Sequence, residues 1–129
     1  MAADKIELNH TIVHARDKQE SAEFYAEILG LPDPQPFGHF LVVKLTNGVS
    51  LDFLTTDQKT TIEHYAFLVS EEVFDRAFAR IKSRGLTYWA DPAGRLPNQI
   101  NEHDGGRGLY FRDPTGHYLE LITKPYGGG

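Results

Sequence analysis

Polar and apolar residues alternate over residues 6–14, and Leu8, His10, Ile12 and His14 share one face of the strand this predicts. The period then lengthens. Ala22, Tyr25, Ala26 and Leu29 recur at helical spacing. Asp17 stands where a cap belongs, Glu20 three residues on completes a capping box, and Gly30 with Pro32 supplies the stop. Pro32, Pro34 and Pro36 exclude a regular central strand, so that segment reads as loop or sheet edge. Residues 37–45 and 49–55 read as two strands joined through Asn47-Gly48, a strong hairpin signal.

After a polar linker the same plan starts again. Residues 62–69 form an apolar strand carrying His64. Ser70 caps a helix striped by Val73, Phe74, Ala77, Phe78 and Ile81, and Gly85 ends it. Residues 86–90 read as a strand. Residues 91–107, rich in Pro, Gly and Asn, form the longest irregular segment and are expected to be a lid or substrate loop. Residues 108–112 and 118–123 are strands around the turn Asp113-Pro114-Thr115-Gly116. Residues 1–5 are expected to fray, and 127–129 to be disordered.

The chain is therefore a repeat. His10 precedes Gly30-Leu31 by a strand and a helix, as His64 precedes Gly85-Leu86. Gly48 opens a strand with Asp52 four residues on, and Gly116 opens one with Glu120 four residues on. Each half, about 6–55 and 62–123, is β-α-β-β-β with a histidine on its first strand and a carboxylate on its last. A pseudo-twofold relation between halves would bring His10, Asp52, His64 and Glu120 into one place.

Composition narrows the chemistry. At 129 residues the chain is about one domain long. A formal net charge of −5 without a compensating basic run argues against nucleic acid. No apolar run approaches the roughly 18 residues of a membrane span, and no signal-peptide pattern opens the chain. Cysteine is absent, which excludes disulfides and thiolates and suits the cytoplasm. Imidazole and carboxylate remain as ligands. Two of each suit a divalent first-row ion (Fe, Mn, Ni, Co or Zn) and leave coordination positions open for a small-molecule substrate.

Strand alternation places Ser50, Leu54, Ala66, Tyr118 and Ile122 with these ligands, so Tyr118 is a candidate substrate-binding or supporting residue. His103 and Arg107, a base and a cation in the flexible loop, are candidates to position an anionic or phenolic substrate. His14 could face substrate as well, though a solvated strand end suits it better. His39 and His117 read as surface residues. Phosphate-loop and nucleophile-elbow motifs are absent.

The segments Leu8-Asn9-His10-Thr11-Ile12-Val13, Val49-Ser50-Leu51-Asp52-Phe53 and Glu63-His64-Tyr65-Ala66-Phe67, with Asp113-Pro114-Thr115-Gly116-His117-Tyr118-Leu119-Glu120, resemble the vicinal oxygen chelate superfamily. That superfamily joins glyoxalase I, extradiol dioxygenases, fosfomycin-resistance enzymes and bleomycin-binding proteins. The resemblance covers nearly the whole chain and implies an α+β fold of two paired βαβββ modules, their mixed sheets curled into a metal cup. It implies that His10, His64 and Glu120 form the metal triad, with Glu120 and Asp52 also catalytic. Asp52 falls where glyoxalase I has a glutamate as fourth ligand; one methylene shorter, it would bind through water or act as a base. A homodimer in which modules of both subunits complete each cup is implied too. The function implied is a metal-dependent enzyme of glyoxalase or dioxygenase type, acting on a molecule that chelates through vicinal oxygens. The alternative is a metal-independent protein that sequesters an antibiotic or aromatic ligand.

Overall fold

The structure, a computed structural model, describes residues 4–125. The expected disordered end at 127–129, and the first three of the five residues expected to fray, lie outside the described residues. The elements in order are β1 (His10–Ala15), α1 (Lys18–Leu29), β2 (Gln35–Phe37), β3 (Phe40–Lys44), β4 (Ser50–Thr55), β5 (His64–Leu68), α2 (Glu71–Ser83), β6 (Tyr88–Trp89), β7 (Gly108–Arg112) and β8 (Tyr118–Ile122). A short 3-10 turn at His103–Gly105 precedes β7.

Each half builds one four-stranded mixed sheet, ordered β1-β4-β3-β2 and β5-β8-β7-β6, and neither closes on itself. In both, the first strand of the half lies parallel to its last and the remaining pairs are antiparallel. The repeat holds to the level of register. His10 pairs with Ser50, two residues before Asp52, and His64 pairs with Tyr118, two residues before Glu120. The α+β architecture of two βαβββ modules expected from the sequence is the one observed.

Asp17 caps α1 through its side chain, which accepts from the Gln19 and Glu20 amides, and Gly30 closes the helix at φ 69°. Glu20 does not complete a capping box. Its carboxylate is engaged by the Arg16 guanidinium at 2.9 and 3.2 Å, a charge-assisted pair that outcompetes a neutral amide. Ser70 caps α2 by accepting from the Val73 amide. Residues 37–45 are not one strand: the chain turns at Gly38, φ 59°, and splits the run into β2 and β3. Pro36 thereby sits on an edge strand, where a missing amide does least harm.

Odd-numbered positions of β1, β4, β5, β7 and β8 (Val13, Leu51, Phe53, Phe67, Leu109, Phe111, Leu119 and Leu121) meet helix residues in one shared apolar core. Tyr25 of α1 joins the halves within it, its ring 4.8 Å from Phe53 of the first sheet and 6.3 Å from Phe67 of the second. Because both helix-side faces are used up in that core, the opposite faces of both sheets look outward. Leu8, Phe37 and Leu68 stay 60% or more exposed there or at its margins.

The loop at 91–107 is more fixed than a lid. Trp89 bridges to Pro97 and Asn101 to Gly108. The Asp91 carboxylate accepts the Arg95 and Leu96 amides, which holds it below the usual aspartate range. Asn101 Nδ2 donates to the Ala90 carbonyl at 2.8 Å. These bonds pin the loop to the β6 edge.

Candidate metal centre

The chemistry-bearing residues sit on the outward faces, as two pairs. On the first sheet His10 and Asp52 line one cavity of about 470 Å³, together with Ile12, Phe40, Val42 and Lys44. Asp52 is 9% exposed and accepts the Ser50 hydroxyl at 3.0 Å. His10 places Nδ1 2.7 Å from the Asn9 side-chain oxygen. An oxygen there accepts, so Nδ1 carries the ring hydrogen and Nε2 keeps its lone pair.

On the second sheet Glu120 is 1% exposed, and its Oε1 lies 3.1 Å from Nε2 of His64. His64 Nδ1 lies 3.2 Å from the Tyr118 carbonyl, which can only accept. Without a metal the ring can donate Nε2–H to the carboxylate, the stronger acceptor, and as an imidazolium it donates to both oxygens. Donors bound at right angles to one ion, each at about 2.1 Å, stand about 3 Å apart. The His64–Glu120 spacing also fits two ligands of a divalent metal, and orienting Nδ1 through a carbonyl is the usual support for such a ligand.

Among the described residues no three His, Asp or Glu side chains converge on one point within the chain. The four residues expected to meet remain as two half-sites, because the halves share their helix-side core and turn their ligand faces away from it. Each half-site includes an edge strand, β1 with His10 and β5 with His64, and among the described residues neither outer edge pairs with a further strand.

Period two reassigns two other residues. Arg107 falls on the helix side with Leu109 and Phe111. Its guanidinium binds Glu71 and Asp75 of α2, both at 2.8 Å, and lies 4.4 Å from the Phe74 ring centre. His117 is no surface residue, being 1% exposed. Its Nδ1 accepts the Glu63 amide at 3.0 Å, and its Nε2–H donates to the His14 carbonyl at 2.8 Å, so it fastens the two halves together. His14 itself is exposed, and His103 is exposed in the 3-10 turn with its amide bound to Asn101.

The same alternation supplies residues that the sequence reading passed over. Tyr110 and Arg112 of β7 share the ligand face, opposite Glu120 and Tyr118. The Arg112 guanidinium stacks 4.2 Å from the Tyr118 ring centre and donates to its hydroxyl. Tyr110 is hydrogen-bonded to Glu120 and lies 6.1 Å from the His64 ring at 27°. Burial first, then the Glu120 charge, pushes its phenol up to about 12. The signal for both was available: the 113–117 turn fixes the hairpin register, and counting back from Glu120 reaches Tyr110.

Comparison with known proteins gives concordant results. The family model described as Glyoxalase/Bleomycin resistance protein/Dioxygenase superfamily matches residues 7–121. Glutathione transferase FosA of Serratia marcescens is 32% identical, across 94% of this chain and 92% of its own. The solved structure of Oxidase ChaP-H1 is 56% identical, covers 96% of this chain and all of its own, and superposes with a TM-score of 0.94. Oxidase ChaP-H2 is 57% identical over 98% of this chain and all of its own, also at 0.94.

Proposed function

The chain belongs to the Glyoxalase/Bleomycin resistance protein/Dioxygenase superfamily, and from that membership we propose that it is a metal-dependent oxidase of a small molecule bearing two adjacent oxygens. The observation that carries this reading is the 56% and 57% identity, over nearly the whole chain, with two proteins named as oxidases. His10, His64 and Glu120 hold a divalent first-row ion. Asp52 stands beside them as a fourth ligand or a base. The ion supplies Lewis acidity and, as iron or manganese, one-electron chemistry with dioxygen.

The protein's own groups do the rest. With a metal bound, His10 and His64 would present Nε2 lone pairs, because Nδ1 of each lies against an oxygen that holds its hydrogen. Tyr118 and Arg112 set a phenol and a guanidinium on the ligand face. That pairing suits an anionic or phenolic substrate, the task first assigned to Arg107. Ile12, Phe40 and Val42 supply apolar wall to receive its carbon frame.

The working unit is a homodimer. When β1 of one chain meets β5 of a second, His10 of the first comes to the His64–Glu120 pair of the second, and the exposed apolar margins are covered. No described helix is long and apolar enough to cross a membrane, and a cysteine-free chain suits the cytoplasm.

FosA, a glutathione transferase by name, supports thiol transfer as a second reading. One set of measurements separates the possibilities. Metal content is determined on anaerobically purified wild type and Glu120→Ala, and oxygen uptake is then followed with aromatic diols as probes. About one iron or manganese per chain, lost in the variant, with oxygen consumed only by the loaded protein, is expected. Glutathione addition to an epoxide without oxygen uptake selects the transferase. Ligand binding that persists without metal selects sequestration, and no metal uptake at all sinks the enzyme.

A further inference from the structure

Glu120 has a neighbour whose role goes beyond the ligand set. Tyr110 stands directly across from it in the β7–β8 hairpin, 9% exposed, with Trp89 across from it on its other side. Two contacts distinguish it from the other tyrosines. Its side chain is hydrogen-bonded to the Glu120 carboxylate, and its ring faces the His64 imidazole 6.1 Å away. A carboxylate only accepts, so the phenol is the donor.

We infer that Tyr110 is the positioning residue of the centre, its hydroxyl fixing the Glu120 carboxylate with Oε1 toward His64 while its ring limits the swing of the imidazole. The inference rests on the metal reading above. A glutamate has three side-chain torsions, and its carboxylate can bind an ion through one oxygen or two. A donor fixed in the sheet removes that choice. Engaged with that carboxylate, the phenol serves as a donor and not as a competing ligand. One rigid side chain thus sets two of the three ligands. The third, His10, is oriented separately by Asn9.

The test uses the full chain and two metals, Mn(II) for affinity and Co(II) for its visible spectrum, in wild type, Tyr110→Phe and Tyr88→Phe. Tyr88 packs against Phe78 on the helix side and serves as a control for loss of a phenol in the same sheet. Tyr110→Phe keeps the ring, and folding is verified by circular dichroism. The expected result is an Mn(II) Kd raised about tenfold or more, as loss of an outer partner typically brings. The Co(II) bands should move as the carboxylate changes its mode of binding, with Tyr88→Phe unchanged in both. Equal affinity and an unchanged spectrum in Tyr110→Phe overturn the inference. So does weaker affinity with the same spectrum, or an equal loss in Tyr88→Phe, because either marks general loosening. Wild type that binds neither metal overturns the metal reading itself, and this inference with it.

Discussion

Tyr25→Phe probes the joint between the halves without touching the ligands. The Tyr25 hydroxyl donates to Oδ2 of Asp113 at 2.7 Å, with tyrosine and aspartate 1% and 6% exposed. The other aspartate oxygen accepts the Thr115, Gly116 and His117 amides at 2.8 to 2.9 Å, so it cannot release a donor to Oδ2. Phenylalanine preserves the packing on Phe53 and Phe67. What is lost is a charge-assisted bond, and what remains is a buried carboxylate oxygen without its partner. Bonds to charged groups contribute about 1.5–3 kcal/mol, so the expected destabilisation is about 2–3 kcal/mol. At roughly 4 °C per kcal/mol for a chain of this size, Tm should fall by about 8–12 °C. Urea unfolding followed by far-ultraviolet circular dichroism measures the change, at one protein concentration because association contributes to stability. In the Asp113→Asn background the same substitution should cost at least about 1 kcal/mol less. A change under about 0.5 kcal/mol, or strict additivity, would refute the argument. Alkali gives an independent reading. Burial, followed by the Asp113 charge, raises the Tyr25 phenol well above its ordinary value. A folded value above the unfolded one means this stabilisation is complete below about pH 10 and is lost as pH climbs beyond it. Wild type should therefore lose stability above that range more steeply than Tyr25→Phe.

Arg112→Ala should raise KM for an anionic substrate at least severalfold while leaving metal content intact. Arg107→Ala should leave KM unchanged and cost about 1 kcal/mol, because the carboxylates it pairs with on α2 are more than half exposed. Steady-state kinetics of the two variants side by side decides which cation serves the cup. Mixing inactive His10→Ala and Glu120→Ala proteins should restore activity if each centre draws on two chains. Each mixed dimer then carries one centre with both lesions and one with neither, so random exchange gives about a quarter of wild-type turnover. No recovery, with exchange verified by mass spectrometry, would place the three ligands in one chain.

What could be read from the chain was whatever repeats along it. His10 and His64, each two register positions from an acid, were visible because strand, helix and glycine recur at matched intervals. What could not be read was which face each half would spend on the other. Alternation separates the ligand face of each strand from its apolar odd positions, but nothing along the chain says that the odd-position faces of the two sheets merge into a single core through Tyr25. That merger splits the four ligands into two pairs. The Asp-Pro-x-Gly-His stretch makes the same point from the other direction. As a motif it pointed to chemistry, yet Asp113 folds its own turn and receives Tyr25, and His117 ties Glu63 to His14. Of that stretch and the strand it opens, Glu120 is the residue that brings a side-chain oxygen to His64. The turn's contribution is register: it sets Tyr110 against Glu120 and Arg112 against Tyr118. Residues that look catalytic by their company can thus be the scaffold, and the groups that act on the carboxylate come from the strand across.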